Sequence, residues 1–215
     1  HWPDRPEVVA GRDRLAGGSW LGRNDHGVIA AALNREGSLG PSEDKRSRGE
    51  LVLEALDHAD AAAAAEALSA VAPDAYRSFN LVIADNRDAF LVANRARTGL
   101  VGCDEIPPGL WMLTSLELND RSNARIATHL PRFQAADIPN PDSGDWSAWT
   151  TLLKGRDHDP TTGPSGAICI ASDWGFGTVC SSLIALPSPE AEESREIFLF
   201  APGRPDEHEY RPVEA

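Results

Sequence analysis

The feature that most narrows the fold is Val28 to Leu33, an unbroken apolar run held between two glycine-bearing turns. Periodicity alone does not separate a buried strand from a buried helix, but a run this short with such flanks favours a strand buried on both faces. Upstream, Gly17-Gly18 is a pair able to take positive φ at little steric cost, as a tight hairpin turn requires. Ser19-Trp20-Leu21 then reads as a short strand stopped by Gly22, and His26-Gly27 as the next turn. Asn34 is the first polar residue after the run, so its amide is delivered to the end of a buried strand. Ser47-Arg48-Gly49-Glu50 matches a capping box, with Ser47 as N-cap and Glu50 reaching back from N3. A helix is expected from Ser47 to His58, with Leu51, Leu53 and Leu56 on its apolar side.

The remaining chain alternates in blocks. Glu7 to Ala10 is a strand candidate, and Ala61 to Val71 a second helix, reached through a short link containing Asp60 and ended by Pro73. Phe79 to Ala84 and Ala89 to Ala93 flank the polar turn Asp85 to Asp88 and form a hairpin. Thr98 to Cys103 and Gly109 to Thr114 read as two further strands. Asp120 to Gln134 follows as a helix with Ile126 and Leu130 on one face and Pro131 as a late breaker, then Trp146 to Leu153 as a shorter one. Ala167 to Ala171, Thr178 to Leu186 and Glu196 to Phe200 close the chain as strands, with Pro187 to Ser194 as an exposed loop. Runs of strands separated from runs of helices argue for a layered α+β domain rather than a doubly wound parallel sheet.

At 215 residues and 41% hydrophobic the chain has room for one ordinary core. Its net charge of −13 opposes binding to nucleic acid and to anionic membrane surfaces. No apolar run approaches the ~20 residues needed to cross a bilayer. HWPDRPE at the start is not a secretory signal. Cys103, Cys169 and Cys180 are odd in number and lack CxxC spacing. They suit a reducing, cytoplasmic setting, as small residues buried within candidate strands. Lys45 and Lys154 are the only lysines against many arginines; with the Ala-rich run after Asp60, this is the coding bias of a GC-rich bacterial gene.

AGRD (Ala10 to Asp13), GGSWLG (Gly17 to Gly22), HGVIAAALNREG (His26 to Gly37) and SRGEL (Ser47 to Leu51), in this order, resemble the core signature of the Transport and Golgi Organisation protein 2 family, also called the NRDE family. FNLVIAD (Phe79 to Asp85) is similar to that family's Phe-Asn-Leu strand ending in Asp, and Trp174 to Leu186 to its late Gly-Thr…Ser-Ser strand. At Leu113 to Asp120, where the family tends to show Leu-Ser-Asn, this chain has Thr114-Ser115 without the Asn. The resemblance implies the four-layer αββα sandwich of N-terminal-nucleophile hydrolases, here as a single domain over residues 1–215. The family opens with a Met-Cys strand and an Asn-Arg-Asp-Glu motif, both upstream of His1. A sheet lacking that strand is expected to show a strand-wide groove beside Val28 to Leu33, or another chain's segment filling it in a homo-oligomer. Asn86-Arg87-Asp88-Ala89 imitates the motif, but Asn and Asp are what a hairpin turn asks for.

In an N-terminal-nucleophile hydrolase the first residue is a Cys, Ser or Thr activated by its own α-amine, and a strand-end amide stabilises the oxyanion. Asn34 suits the second role; it equally suits a plain strand cap. His1 cannot fill the first. Arg12-Asp13 reads either as a local ion pair or as a charged pocket rim, and Trp20 either as a packed sheet residue or as a ligand platform. The expected ligand site is one pocket bordered by Trp20, Asn34 and the Thr114-Ser115 strand end, with His26 the only histidine nearby. No metal site has recognisable spacing. The resemblance alone brings in haem, for which His26, His58, His129, His158, His208, Met112 and the cysteines are the candidate axial ligands. Two functions follow: binding or trafficking of a hydrophobic small molecule such as haem or a lipid-like ligand, and, given an upstream Cys, hydrolysis of linear C–N bonds.

Overall fold

The computed structural model describes residues 2–96, 99–190 and 195–213. His1 and Thr98, the first residue of one expected strand, lie outside them, as does the second half of the loop expected over Pro187 to Ser194. The chain is α+β, with two antiparallel sheets and four α-helices among the described residues. No helix among them is long and apolar enough to cross a membrane. Two compact units divide it.

The first unit takes in His1–Gly109, Thr114–Leu116 and Ser188–Glu190. Its sheet is an antiparallel meander of six strands: β1 (Val8–Ala10), β2 (Leu21–Asn24), β3 (Ile29–Asn34), β4 (Phe79–Ala84), β5 (Ala89–Asn94) and β6 (Val101–Glu105), side by side in chain order. Ala30 opposes Ile83 and Ala32 opposes Leu81, which in turn opposes Val92. These residues share one face, and on it lie the helices α1 (Gly49–Ala55) and α2 (Ala61–Ser69). Leu51, Val52, Leu56, Ala64 and Leu68 fill the core against them. Burial along β3 alternates between full and partial, so the run is not equally buried on its two faces.

Gly22 does not stop the strand before it. It lies inside β2, because a Cβ there would stand 2.6 Å from Ala10 Cβ and 2.9 Å from Leu56 Cδ1. A glycine is what lets β1 and α1 close on that point. The hairpin after β2 is as expected: Gly27 has φ +82°. Its geometry is fixed by Asn24, fully buried, which accepts from the backbone N–H groups of His26 and Val28 and donates to the carbonyls of Leu56 and His58. One side chain thereby ties the turn to the end of α1.

The capping box is not formed. Arg48 occupies the N-cap position with helical backbone angles, Ser47 Oγ accepts from Gly49 N–H two residues on, and Glu50 pairs with Arg46. Asp60, in contrast, caps α2 through Ala63 N–H, and Asp85 in the β4–β5 turn accepts from Ala61 N–H at the same helix end. The expected groove beside Val28 to Leu33 is also absent, since β3 is hydrogen-bonded to β2 on one side and β4 on the other. The sheet's edges are β1 and β6.

The second unit, Leu110–Leu113, Glu117–Pro187 and Ala191–Ala215, holds the helices α3 (Ala124–Ala135) and α4 (Ser147–Leu153). Its sheet has three strands, β7 (Ser181–Ala185), β8 (Ile197–Ala201) and β9 (Arg211–Pro212). Asn123 caps α3, which buries Ile126, His129, Leu130 and Phe133. Pro131 does not end it: the helix runs on to Ala135, and Phe133 stacks edge-on against Trp149 of α4 at 5.5 Å.

Gly109 to Thr114 and Ala167 to Ala171 form no strands. In the first segment Met112 N–H donates to Asn119 Oδ1 and Met112 carbonyl accepts from Asn119 N–H. In the second, Cys169 N–H donates to Gly155 carbonyl and Ile170 N–H to Thr178 Oγ1. Backbone groups that would have made a ladder are taken by single residues elsewhere. The cysteines differ accordingly. Cys169 is buried outside any strand, its thiol donating to Asp206 at 3.1 Å, whereas Cys103 on β6 and Cys180 ahead of β7 are exposed.

Candidate functional site

A close backbone approach sets the geometry. Gly18 and Gly49 touch, and Ser19 N–H donates to Gly49 carbonyl at 3.0 Å, so the segment leading into β2 runs directly across the start of α1. Trp20 follows at once, its carbonyl accepting from Ala32 N–H at 3.0 Å. Asn34 lies two residues further along β3. Both residues line a cavity of about 490 Å³ within the first unit.

Around that cavity the wall is of two kinds. Trp20 (42% exposed), Leu15, Leu39 and Pro41 supply apolar surface, and Leu15 and Leu39 are more exposed than apolar residues normally are. Facing them are Lys45, Arg46, Arg48 and Arg77, with Asp13 the acid of the lining. Four cations around one cavity stand out in a chain of net charge −13.

These cations are not equivalent. Arg46 is neutralised by Glu50 and Glu54, whose hydrogen bonds raise its pKa, and it lies over the Tyr76 ring. Lys45 donates to Asp74 carbonyl at 2.7 Å and has Asp44 at 3.8 Å. Arg48 is only 7% exposed, yet its Nη1 donates to Ser38 carbonyl and hydroxyl and to Ser78 carbonyl, and its Nη2 to Gly40 carbonyl. Arg77 does likewise, reaching the carbonyls of Gly37, Leu39, Gly40 and Pro41. Burial, and then the neighbouring charge of Arg77, pull the Arg48 guanidinium below its ordinary pKa. The loop from Gly37 to Pro41 is thus wrapped around two positive charges.

Asp13 accepts from the backbone N–H groups of Leu15 and Ala16, which hold its carboxyl below the usual range. Arg12 lies over the Trp2 ring instead. Asn34 Oδ1 is buried without a hydrogen-bond partner among the described residues. A buried amide oxygen in that state is an acceptor waiting for a donor.

The residues expected from the sequence divide here. Trp20 and Asn34 come together at the cavity. Thr114 and Ser115 do not line it; their carbonyls accept from Asn80 Nδ2 and from Glu36 N–H. His26 is at the turn between β2 and β3, the opposite end of β3 from Asn34, a strand of roughly 20 Å away. No histidine, cysteine or methionine lines the cavity, and no cluster of metal-ligating side chains occurs among the described residues. A haem in this cavity would meet cationic side chains for its carboxylates but none of the axial ligands named from the sequence. Arg48 and Arg77, which the sequence reading passed over, are the site's most distinctive side chains. Arg48 sat in plain view inside the supposed capping box.

Compared with known proteins, the sequence model for Transport and Golgi organisation 2 matches residues 1–138, the part that contains the whole cavity. No curated protein matches the chain.

Proposed function

Because the chain belongs to the Transport and Golgi organisation 2 family, we propose that it binds or carries a hydrophobic small molecule, such as haem or a lipid-like ligand, in the cavity bordered by Trp20 and Asn34. The observation that carries this reading is the exposed apolar wall of Trp20, Leu15 and Leu39 beside a buried, unpartnered amide oxygen. The volume falls within the range of small-molecule sites, and a mostly apolar wall with a few placed polar groups is their usual composition. Hydrolysis of a linear C–N bond is the second reading; the family resemblance gives its nucleophile as a Cys upstream of His1, with Asn34 as the oxyanion donor.

Calorimetric titration of the protein with haem and with decanol tests the reading. Saturable binding of one of them, weakened about tenfold by Trp20→Ala, is the expected result. Binding that Trp20→Ala and Asn34→Ala leave untouched would place the ligand elsewhere. His26→Ala is expected to change nothing in a haem spectral titration, given its position at the far end of β3.

A further inference from the structure

We propose that Arg48 and Arg77 form an anion subsite, so that the ligand of this cavity is an amphiphile whose carboxylate or phosphate head faces the two guanidinium groups while its apolar body lies on Trp20, Leu15 and Leu39. This rests on the binding function proposed above and specifies its ligand.

Charge is the first ground. Among the described residues neither Arg48 nor Arg77 forms an ion pair; their Nη atoms meet only backbone carbonyls and the Ser38 hydroxyl. Neutral dipoles satisfy donors without cancelling charge. Two like charges are thereby held near one another, one of them almost wholly buried, which is costly until an anion joins them. Asp44 feels the charge of Arg77 but makes no ion pair with it, being hydrogen-bonded to Ser42 and 3.8 Å from Lys45, and Asp13 is held by the backbone of Leu15 and Ala16. No described residue takes the Nε–H of either arginine, so each keeps a donor for an incoming oxygen.

Shape is the second ground. The apolar residues and the guanidinium groups line the same cavity, with Arg48 over the Trp20 ring at 6.0 Å. A wholly apolar ligand would strand the cations in a drier site, and a bare inorganic anion would leave Leu15, Leu39 and Trp20 exposed. Asn34 Oδ1 asks in addition for a donor, which a hydroxyl or N–H group on the ligand's body would supply.

Decanoate, decyl phosphate and decanol, titrated into the intact protein, separate the possibilities. Both anions should bind at least tenfold more tightly than decanol, and this preference should shrink as salt rises from roughly 0.02 to 0.3 M. Arg77→Gln should remove most of the preference, weakening both anions about tenfold more than it weakens decanol; Arg77→Lys, which keeps the charge, should retain part of it. The order of the two anions tells which head group the site takes. Equal binding of decanol and the anions by the wild type overturns the anion subsite while leaving the cavity as a binding site. Equal loss of all three ligands in Arg77→Gln also overturns it, because Arg77 would then act only by holding the loop. Failure of every ligand to bind removes both readings.

Discussion

Gly18 and Gly49 meet backbone to backbone: a Cβ on Gly18 would lie 2.4 Å from the carbonyl carbon of Gly49. Nothing at that contact is a movable side-chain tip, so an added methyl must push α1 away from the segment that carries Trp20. Gly18→Ala is expected to destabilise the protein by about 3 kcal/mol in urea unfolding. Gly17 is the useful control. Its φ is +79° with open space around it, so Gly17→Ala bears only the left-handed backbone penalty, about 1 kcal/mol. Equal shifts for the two variants would refute the close-contact account.

Asn24 should matter more than any other polar residue of the sheet's first hairpin. Its side chain makes four hydrogen bonds while fully buried. Asn24→Ala leaves the carbonyls of Leu56 and His58 without that donor, and a loss of about 3 kcal/mol is expected. Asn24→Asp should be no better at neutral pH, since a carboxylate would face those two carbonyl oxygens.

Tyr76 makes the opposite prediction. Its hydroxyl is buried with no hydrogen-bond partner among the described residues, and burial first, then Glu54, push its pKa up to about 12. Removing an unsatisfied hydroxyl is neutral or favourable, so Tyr76→Phe should stay within about 0.5 kcal/mol of wild type or exceed it at pH 7. Above pH ~10 the unfolded chain releases the phenol proton while the folded protein keeps it. Wild-type stability should therefore fall between about pH 10 and 12, and Tyr76→Phe should flatten that limb.

His129 governs a separate window. It is buried on α3 with Nε2 3.0 Å from Gly166 carbonyl, and burial lowers its pKa below the ordinary 6.5. As pH falls through that value the unfolded chain takes up the proton first, so stability declines with acidification. Replacement by Gln, which keeps a donor for Gly166, should make the unfolding midpoint less pH-dependent between roughly pH 7 and 5. An unaltered slope would mean that His129 titrates normally.

Local pattern carried the elements whose partners are near in sequence. The runs at Val28 to Leu33 and Phe79 to Ala84 became β3 and β4, and the Asp85 to Asp88 turn joined β4 to β5 as its composition required. Errors arose where a single side chain captured backbone groups that would otherwise have joined a ladder. Asn119 holds Met112 and Thr178 holds Ile170, and neither capture leaves a trace in hydrophobic periodicity. At the site the same distinction applies. Trp20 and Asn34 stood out as a large aromatic and a strand-end amide within one compact stretch. Arg77 gathers carbonyls from a loop nearly forty residues upstream, and no spacing rule announces such a contact.

The order of strands in the six-stranded sheet has a consequence for how the protein assembles. β1, β2 and β3 are consecutive neighbours, as are β4, β5 and β6, and both helices lie in the connection between the two groups. Each half can zip up from hairpins of short range. The β3–β4 ladder is the single seam in this sheet that needs a long loop closed, and that closure grows slowly harder with length. α1 packs across β2, β3 and β4, and α2 across β4, β5 and β6, so the helices act as the clasp that brings the halves together. The cavity opens where α1 begins, beside Asn34 at the end of that seam; its walls are complete only after the clasp has shut.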